Sequence, residues 1–328
     1  KSKTIMSDSP KQRMNKLGKA KIPFLFIVDF DMKKPIIIPL NEVDASQIMY
    51  SINDKKNYTE SVIVKKSVEF NSQPVEKSRY SKAFNLVQKH IRHGDSFLLN
   101  LTMPSNINTN LSPREIFYST SAKYKIWFKN NFVVYSPEIF VQTQNGKIHS
   151  FPMKGTIMAS VPNARKKLLE SEKELAEHYT IVDLIRNDLS IVAKNVRVER
   201  FRYIEKVQTH KGALLQMSSE IVGELPSSFT QNIGDMIFSM LPAGSISGAP
   251  KRKTIEAIKQ AENYDRGYYT GICGIFDGEN IDSGVMIRYV EQTNDGLMYK
   301  SGGGITAKSN LDEEYQELMD KIYIPFNL

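Results

Sequence analysis

The sequence predicts an α+β fold in which antiparallel sheets, in a two-layer or two-subdomain arrangement, are flanked by helices. Strand-like segments follow one another across hairpin turns in residues 124–154 and 269–305. Residues 76–93 and 164–188 are predicted helices, yet strands and helices do not alternate in a βαβ rhythm. No internal repeat or low-complexity linker divides the chain. We therefore expect residues 1–328 to form one cooperative unit.

The N-terminal third begins with a basic, polar stretch. We expect the first 20 residues to be flexible. The apolar run over 22–28 predicts a buried strand, because it is far shorter than the ~20 residues needed to span a bilayer. The helix over 76–93 ends at Gly94, and a strand follows over 96–102.

Turn and capping signals locate the later elements. Residues 112–115 (SPRE) form a capping box that opens a helix. The Asn-Gly pair at 145–146 predicts a hairpin turn between two strands. Pro250 begins another helix, and residues 310–313 (NLDE) form a second capping box that opens the C-terminal helix.

The composition excludes several classes of protein. With 41% hydrophobic residues in 328 positions, the chain can bury a large core and is not disordered. The single cysteine, Cys273, excludes an internal disulfide framework and a multi-cysteine metal site. We expect a cytoplasmic protein with no signal peptide and no contact with a membrane.

The net charge of +8 suits nucleic acid, an anionic surface or an anionic metabolite. A nucleic-acid-binding protein is the alternative from a different class, and it predicts clustered basic residues interleaved with exposed aromatic residues. Lysines and arginines are instead scattered along this chain. We therefore expect no nucleic acid partner.

Two pairs of glutamates are candidate metal ligands. Glu174 and Glu177 lie three positions apart on one predicted helix, and Glu314 and Glu317 repeat that spacing on the last helix. Each pair can present two carboxylates on one helix face. Carboxylate oxygens suit Mg²⁺, which keeps waters and accepts substrate oxygens in its shell. Taken singly, such pairs are more often solvated surface charge.

Two glycine-rich segments are candidate anion sites. Three glycines in residues 301–305 end a strand, where the backbone can approach a ligand and offer N–H groups. Residues 242–251 deliver a polar loop to a helix N-terminus, which is anion-binding geometry. Their glycine-to-lysine spacing does not match a nucleotide-binding P-loop. As isolated features, both segments are more often turns.

Glu138 and Lys154 lie sixteen residues apart, on either side of the predicted hairpin turn. An odd-numbered loop would place both side chains on one face of the sheet, whereas a two-residue loop would place them on opposite faces. A carboxyl and an amine brought together in a partly dry pocket can serve as acid–base and nucleophile. An ordinary cross-strand salt bridge is the alternative.

Arg288 and Tyr269 are candidates for binding a carboxylate. Both lie on strands flanked by glycine. A guanidinium fork and a phenol hydroxyl are natural hydrogen-bond donors to a carboxylate. A structural role is the alternative for either residue.

Together these segments resemble the chorismate-utilising enzymes, which include the first components of aminodeoxychorismate synthase and anthranilate synthase, and the isochorismate and salicylate synthases. The resemblance covers roughly residues 80–322 and rests on seven motifs. These are GDSFLLNLT at 94–102, SPEIF at 136–140, PMKGT at 152–156, EHYTIVDLIRNDL at 177–189, PAGSISGAPK at 242–251, RGYYTG at 266–271 and SGGGITAKSNLDEEYQE at 301–317.

The resemblance implies a fold like that of anthranilate synthase component I and a catalytic unit that binds chorismate. It implies Mg²⁺ bound through Glu177 and Glu317, with Glu174 and Glu314 close by as further ligands or holders of water. It implies that the two carboxylates of chorismate are bound by Arg288, Tyr269 and the backbone of Gly302 and Gly304. It also implies that three further residues of the motifs contact the substrate: Ser247, Gly248 and Thr156.

Lys154 indicates which member of the family the chain resembles most. The PMKGT motif is similar to aminodeoxychorismate synthase component I, whereas anthranilate synthases usually carry Ala at this place. The resemblance implies that Lys154 attacks C2 of the ring while the C4 hydroxyl departs with help from Glu138, after which ammonia adds at C4. The predicted product is 4-amino-4-deoxychorismate, on the route to para-aminobenzoate and folate. Anthranilate synthase component I is the alternative.

Several features depart from the family's pattern. Leu98 stands where water-using relatives need a lysine base, which disfavours an isochorismate or salicylate synthase. Ile139 replaces a usual Arg, and Gln216 replaces a catalytic His, which argues against release of pyruvate. The N-terminal region lacks much of what forms a tryptophan pocket in relatives, so we expect no feedback inhibition by tryptophan.

The ammonia source is predicted to be another protein. The sequence has no glutaminase signature, since neither a nucleophilic cysteine elbow nor its partners occur. We expect a separate glutamine amidotransferase subunit, with free ammonium as a substitute in vitro. A catalytically inactive binding subunit conflicts with the retention of Glu138, Lys154 and all four helix carboxylates.

Overall fold

The computed structural model describes residues 8–59, 67–170, 172–209 and 212–326, without the side chains of Thr156, Lys173 and residues 207–209. Eight α-helices lie within these ranges: α1 (Pro10–Lys19), α2 (Lys77–His93), α3 (Pro113–Ser119), α4 (Ala164–Glu170), α5 (Glu172–Val192), α6 (Ile233–Ser239), α7 (Lys251–Glu262) and α8 (Leu311–Asp320). None of these helices is long and apolar enough to cross a membrane.

Eighteen strands occur in the same ranges, and every pair of neighbouring strands is antiparallel. The strands are β1 (Phe24–Val28), β2 (Ile36–Pro39), β3 (Ile48–Ile52), β4 (Lys55–Lys56), β5 (Phe70–Gln73), β6 (Leu98–Thr109), β7 (Tyr124–Phe128), β8 (Phe132–Ser136), β9 (Ile139–Gln144), β10 (Lys147–Ser150), β11 (Met153–Met158), β12 (Lys194–Thr209), β13 (Gly212–Glu224), β14 (Gly248–Ala249), β15 (Ile272–Phe276), β16 (Ile281–Val285), β17 (Tyr289–Thr293) and β18 (Gly296–Ile305).

The strands form two nine-stranded sheets. The first has the order β11-β13-β10-β9-β16-β15-β1-β2, with β12 also paired to β13. The second has the order β14-β6-β18-β17-β8-β7-β3-β4, with β5 also paired to β6. The predicted α+β class, with antiparallel sheets and flanking helices, is confirmed.

The two sheets pack face to face, and helices cover their outer faces. On β1, Leu25 and Ile27 enter the cluster between the sheets, where they join Ile126 and Val134 of the second sheet. The alternate residues of β1 join α1, α5 and α6 in a cluster on the first sheet's other face. The outer face of the second sheet is covered by α2, α7 and α8 at one end and by α3 at the other. Burial on both faces explains the unbroken apolar run of β1.

Most element boundaries follow the sequence signals. The left-handed Gly94 (φ 87) ends α2, and a capping box at Ser112 opens α3. Asn310 caps α8 by accepting hydrogen bonds from the backbone N–H groups of residues 312 and 313. The predicted helix over 164–188 corresponds to α4 and α5, which lie on either side of residue 171, a position outside the described residues, and α5 continues to Val192.

The first 20 residues were expected to be flexible, but Pro10–Lys19 form the helix α1. Ser9 and Gln12 form a capping box there, which begins the helix. Met14 is completely buried, and Asn15 accepts a hydrogen bond from the backbone N–H of Gly234. The basic composition hid this helix, because its lysines lie on the exposed side while one apolar face packs against α6. Residues 1–7 lie outside the described part of the chain.

Candidate active site

A cleft of about 1210 Å³ is lined by residues from both sheets and from α5 and α8. Ten of the thirteen residues predicted as site residues line it: Glu138, Lys154, Glu174, Glu177, Ser247, Tyr269, Arg288, Gly302, Gly304 and Glu317. Gly248 and Glu314 are not among the lining residues, and the side chain of Thr156 lies outside the described part of the structure.

Glu138 and Lys154 reach the same cleft although the turn between them has two residues. The turn joins Gln144 of β9 to Lys147 of β10, the loop length for which we expected opposite faces. The parity argument fails because β9 and β10 pair only from Lys147 to His149, so this ladder does not reach Lys154. The chain continues along β13, where its register shifts between Met153 and Thr156.

Lys154 forms an ion pair with one of the predicted metal ligands. Its Nζ lies 3.3 Å from Oε2 of Glu177, on α5. The side chains are 28% and 19% exposed, respectively, so both stay in contact with the cleft. The amine can therefore reach a molecule in the cleft while Glu177 holds it in place.

The Glu138 carboxyl is desolvated in the cleft and accepts a hydrogen bond from a neighbouring loop. Its Oε1 accepts a hydrogen bond of 2.5 Å from the Ser245 hydroxyl. Burial raises the pKa of the Glu138 carboxyl, while the Ser245 hydroxyl and the cations Lys154, Arg288 and Lys321 act in the opposite direction. The direction of this shift favours the protonated form of the carboxyl, which is the form that can donate a proton to a leaving group.

Arg288 offers a cation without a carboxylate partner. It forms no ion pair with the residues that the structure describes, and its guanidinium lies 5.5 Å from the centre of the Tyr323 ring. The residue adopts a left-handed backbone conformation (φ 57) immediately before β17. This conformation is uncommon for a residue with a side chain, and it is typical of functional positions. The partly buried guanidinium is suited to receive an anion from the cleft.

The amides of Gly302 and Gly304 point away from the neighbouring strand β6. Their partners in the ladder are Thr102 and Asn100. The backbone N–H groups of those two partners donate to Glu262 and to the Ser247 carbonyl, and therefore not to β18. In an antiparallel ladder, two residues directly opposite each other either both donate their N–H groups across the pair or both point them away from it. Because the N–H groups of Thr102 and Asn100 point away from β18, those of Gly302 and Gly304 point away from β6. On that side β17 pairs with β18 only as far as Lys300.

Tyr269 lines the cleft with most of its surface buried. The side chain is 4% exposed, and its ring centre lies 5.8 Å from that of Tyr289. Burial raises the pKa of the Tyr269 hydroxyl, so it remains a proton-bearing donor at neutral pH. Arg288, Tyr269 and the outward glycine amides therefore supply the donors that a carboxylate needs.

The glutamates that line the cleft come from two helices, as predicted. Glu174 and Glu177 lie on α5 and Glu317 lies on α8, where Lys321 Nζ is 2.7 Å from Glu317 Oε1. The described residues contain no preformed group of three or more acidic, histidine or cysteine ligands. The donor set still fits Mg²⁺, because this ion commonly takes one or two carboxylates and completes its shell with water and substrate oxygens.

Ser247 and Gly248, two of the predicted anion-site residues, have structural roles in the loop before α7. The Ser247 hydroxyl donates to the Ala243 carbonyl at 2.7 Å. A side chain at Gly248 would collide with the carbonyl of Leu98, since an added Cβ would lie 1.8 Å from that oxygen. Glycine at 248 thus allows the loop to approach β6, whereas the sequence pattern suggested an approach to a ligand.

The three positions that depart from the family's pattern also line the cleft. Leu98 packs with Ile181 and Leu184 of α5, so this wall is apolar. Gln216 contacts the sulfur of Met153, and Ile139 packs against the cluster between the sheets. None of these side chains can accept a proton from water or imitate the usual histidine.

His178 anchors α5 beside the cleft as a neutral imidazole. It is completely buried, and its Nε2 lies 2.6 Å from the Ser219 hydroxyl. Its Nδ1 has no hydrogen-bond partner among the residues that the structure describes. Burial, with contributions from Arg202 and Lys154, lowers the pKa of His178 to about 4. Protonation would place an unpaired charge in the interior and loosen the packing of α5 on β13.

We expect His178 to make the fold sensitive to acid. Because the folded pKa is below the ordinary value of 6.5, stability is present above that value and is lost as the pH falls towards 4. When the pH falls from about 7 to about 5, the free energy of unfolding should decrease by about 2 kcal/mol because of this residue. Urea unfolding at both pH values should show a smaller loss for His178→Gln. An equal loss in both proteins would contradict this account.

Four residues that shape the site were not predicted from the sequence. Ser245 donates a hydrogen bond to Glu138. Lys321 contacts Glu317 and donates to the Gly302 carbonyl. Asp188 and Arg266 form hydrogen bonds with the backbone of the loop before α7. All four occur in or beside the seven motifs. No local sequence pattern predicts these contacts, because most of them join residues that are far apart in the sequence.

Known proteins share both the sequence pattern and the fold. A family model described as chorismate binding enzyme matches residues 33–326. The chain is 49% identical over 315 residues to an uncharacterised PabA-like protein of Pasteurella multocida (strain Pm70), which covers 96% of this chain and 97% of that protein. It is 32% identical over 259 residues to aminodeoxychorismate synthase component 1 of Salmonella typhimurium, covering 74% of this chain and 56% of that protein.

A solved structure agrees with these matches. Anthranilate synthase component I from Streptococcus pneumoniae superimposes with a TM-score of 0.63 at 25% identity, covering 77% of this chain and 58% of that chain. The family model spans most of the present chain, and the motifs that carried the resemblance lie within the matched range. The predicted family and fold are therefore confirmed, and the chain belongs to the chorismate binding enzyme family.

Proposed function

We propose that this protein is a cytoplasmic aminodeoxychorismate synthase component that aminates chorismate at C4. The observation that carries the proposal is the position of Lys154, whose amine lines the same cleft as the Glu138 carboxyl and the Arg288 guanidinium. These three groups provide a nucleophile, an acid and a carboxylate binder. The 4-amino product would feed para-aminobenzoate and folate synthesis.

The proposed reaction has two covalent steps. The neutral amine of Lys154 attacks C2 of the ring, the double bond shifts, and the C4 hydroxyl leaves as water with a proton from Glu138. Ammonia then attacks C4, the double bond shifts back, and the C2–N bond breaks to release Lys154. The ammonium formed at C4 returns one proton to the Glu138 carboxylate, which restores the acid. Dividing one difficult displacement into two easier ones lowers the overall barrier. The raised pKa of Glu138 supports its role as the acid.

Arg288, Tyr269 and the amides of Gly302 and Gly304 are proposed to bind the substrate carboxylates. The bidentate fork of an arginine fixes both the position and the orientation of a carboxylate. Glu177 and Glu317 would hold Mg²⁺, with Glu174 and Glu314 nearby, and its positive charge would stabilise the anionic substrate.

Ammonia is proposed to come from a separate glutamine amidotransferase subunit. Cys273 is completely buried in β15, where burial raises the pKa of its thiol, so it is not suited to hydrolyse glutamine. The experiment that tests this division of labour measures chorismate consumption with ammonium or with glutamine as the only nitrogen source. We expect consumption with ammonium alone. Equal consumption with glutamine alone would contradict a separate subunit.

Arg288→Lys tests the carboxylate site. The substitution keeps the positive charge but removes the planar fork, so kcat/KM should fall by the equivalent of about 2 kcal/mol or more. Arg252→Lys is the matched control, because the side chain of Arg252 is 93% exposed on α7 and should tolerate the same change. An unchanged kcat/KM in Arg288→Lys would show that Arg288 is structural.

A further inference from the structure

The loop over 242–248 places one hydroxyl against the proposed catalytic acid. Within this loop Ser245 is partly exposed, whereas residues 242–244 and 246–248 are buried. Its hydroxyl donates a hydrogen bond of 2.5 Å to Glu138 Oε1. The proposed mechanism leaves this hydroxyl unused, and the sequence pattern had directed attention to Ser247 and Gly248 instead.

The backbone that carries Ser245 is held on both sides of it. The N–H of Gly244 donates to Asp188 at 3.1 Å, and the carbonyl of Ile246 accepts from Arg266 at 2.8 Å. These two anchors are themselves held, since Asp188 pairs with Lys251 at 2.6 Å and Arg266 pairs with Glu262 at 2.6 Å.

The acceptor is held just as firmly. The backbone N–H of Glu138 donates to the Ser136 hydroxyl at 3.2 Å, and the Glu138 carbonyl accepts from the N–H of Val285 at 3.0 Å. The short contact between Ser245 and Glu138 therefore joins two separately fixed backbones. A hydrogen bond between preorganised groups loses little entropy when it forms, so it can define the orientation of the carboxyl.

We infer that Ser245 is a positioning residue for Glu138, which fixes one carboxyl oxygen so that the other carries the transferable proton toward the substrate. This inference rests on the proposed function and adds a residue to it. The hydroxyl donates to Oε1 before and after transfer, so it also stabilises the carboxylate that remains when the proton has left. Ser245 itself exchanges no proton with the substrate.

The charged groups that face Glu138 determine the sign of the pH effect. They are Lys154 on β11, Arg288 before β17 and Lys321 after α8, and each lowers the pKa of the Glu138 carboxyl, as the Ser245 hydroxyl does. Ser245→Ala removes one of these stabilising influences on the carboxylate. The pKa of Glu138 should therefore rise further, and the protonated acid should persist to higher pH.

The test combines kinetics with a direct titration of the carboxyl. In Ser245→Ala, kcat for chorismate consumption with ammonium and Mg²⁺ should fall roughly ten- to hundredfold while KM is unchanged. The alkaline limb of its pH profile should move up by about one pH unit. Ser245→Thr keeps the hydroxyl and should restore both properties. A raised KM with an unmoved pH limb would overturn the inference and assign the hydroxyl to substrate binding.

Infrared difference spectra give a readout that needs no turnover. The C=O band of the protonated Glu138 is assigned by its loss in Glu138→Gln, and its pH midpoint is then compared between the parent protein and Ser245→Ala. We expect a higher midpoint in Ser245→Ala, and an equal midpoint would overturn the inference. If the parent protein consumes no chorismate while the midpoint moves, the proposed function fails and the contact stands.

Discussion

Lys154→Ala will abolish formation of 4-amino-4-deoxychorismate from chorismate and ammonium. The amine of Lys154 is the proposed nucleophile at C2, and alanine leaves no group that can form the covalent intermediate. With C2 unblocked, ammonia can attack that carbon directly and give a trace of the 2-amino isomer. Folding should be retained, because the Lys154 side chain is 28% exposed in the cleft and its ion pair with Glu177 is partly solvated.

The experiment compares the products of the parent protein, Lys154→Ala and Lys166→Ala by mass spectrometry. Lys166 is the matched control, since its side chain is 70% exposed on α4 and pairs only loosely with Glu170, at 3.9 Å. A mass adduct on the Lys154 peptide during turnover would identify the intermediate. Formation of the 4-amino product by Lys154→Ala at a rate similar to the parent would contradict covalent catalysis by Lys154.

Glu177→Gln and Glu317→Gln will each abolish turnover that depends on Mg²⁺ while leaving the fold nearly intact. An amide has lost the charge with which a carboxylate binds a hard cation. The two side chains are 19% and 46% exposed, so neither substitution disturbs the apolar core. Removing the carboxylates should also weaken Mg²⁺ binding measured by calorimetry without any turnover.

Asp183→Asn and Asp320→Asn are matched controls for these two substitutions. Asp183 lies on α5 with a side chain that is 61% exposed, and Asp320 accepts a surface hydrogen bond from Gln316 on α8. Each control removes one charge from the same helix outside the cleft. If Glu177→Gln and Glu317→Gln keep activity at ordinary Mg²⁺ concentrations, the assignment of the metal ligands is wrong.

The sequence predicted those parts of the fold and site that depend on local signals. Capping residues located α3 and α8, and the apolar run of β1 matched a strand buried on both faces. The motif residues converge because the two sheets pack together and because α5 and α8 approach the same cleft. That convergence was available only through the resemblance to a family, since no spacing along the chain specifies it.

Other features depended on contacts between distant segments. The parity argument for Glu138 and Lys154 failed because the β9–β10 ladder ends at His149 and the register on β13 shifts after Met153, which no turn signal reveals. The glycine pattern selected Gly248, whose freedom is needed for close approach to β6. Ser245 was missed because its orientation toward Glu138 is fixed by anchors from α5 and from Arg266.

The identity of the product tests the central proposal most directly. The protein is incubated with chorismate, Mg²⁺ and ammonium, and the product is separated and identified by mass. We predict 4-amino-4-deoxychorismate with its enolpyruvyl group retained, because the resemblance aligns Gln216, which lines the cleft, with a catalytic histidine of the relatives. Anthranilate as the main product would show that ammonia is directed to C2 and that pyruvate is released, and it would contradict the role proposed for Lys154.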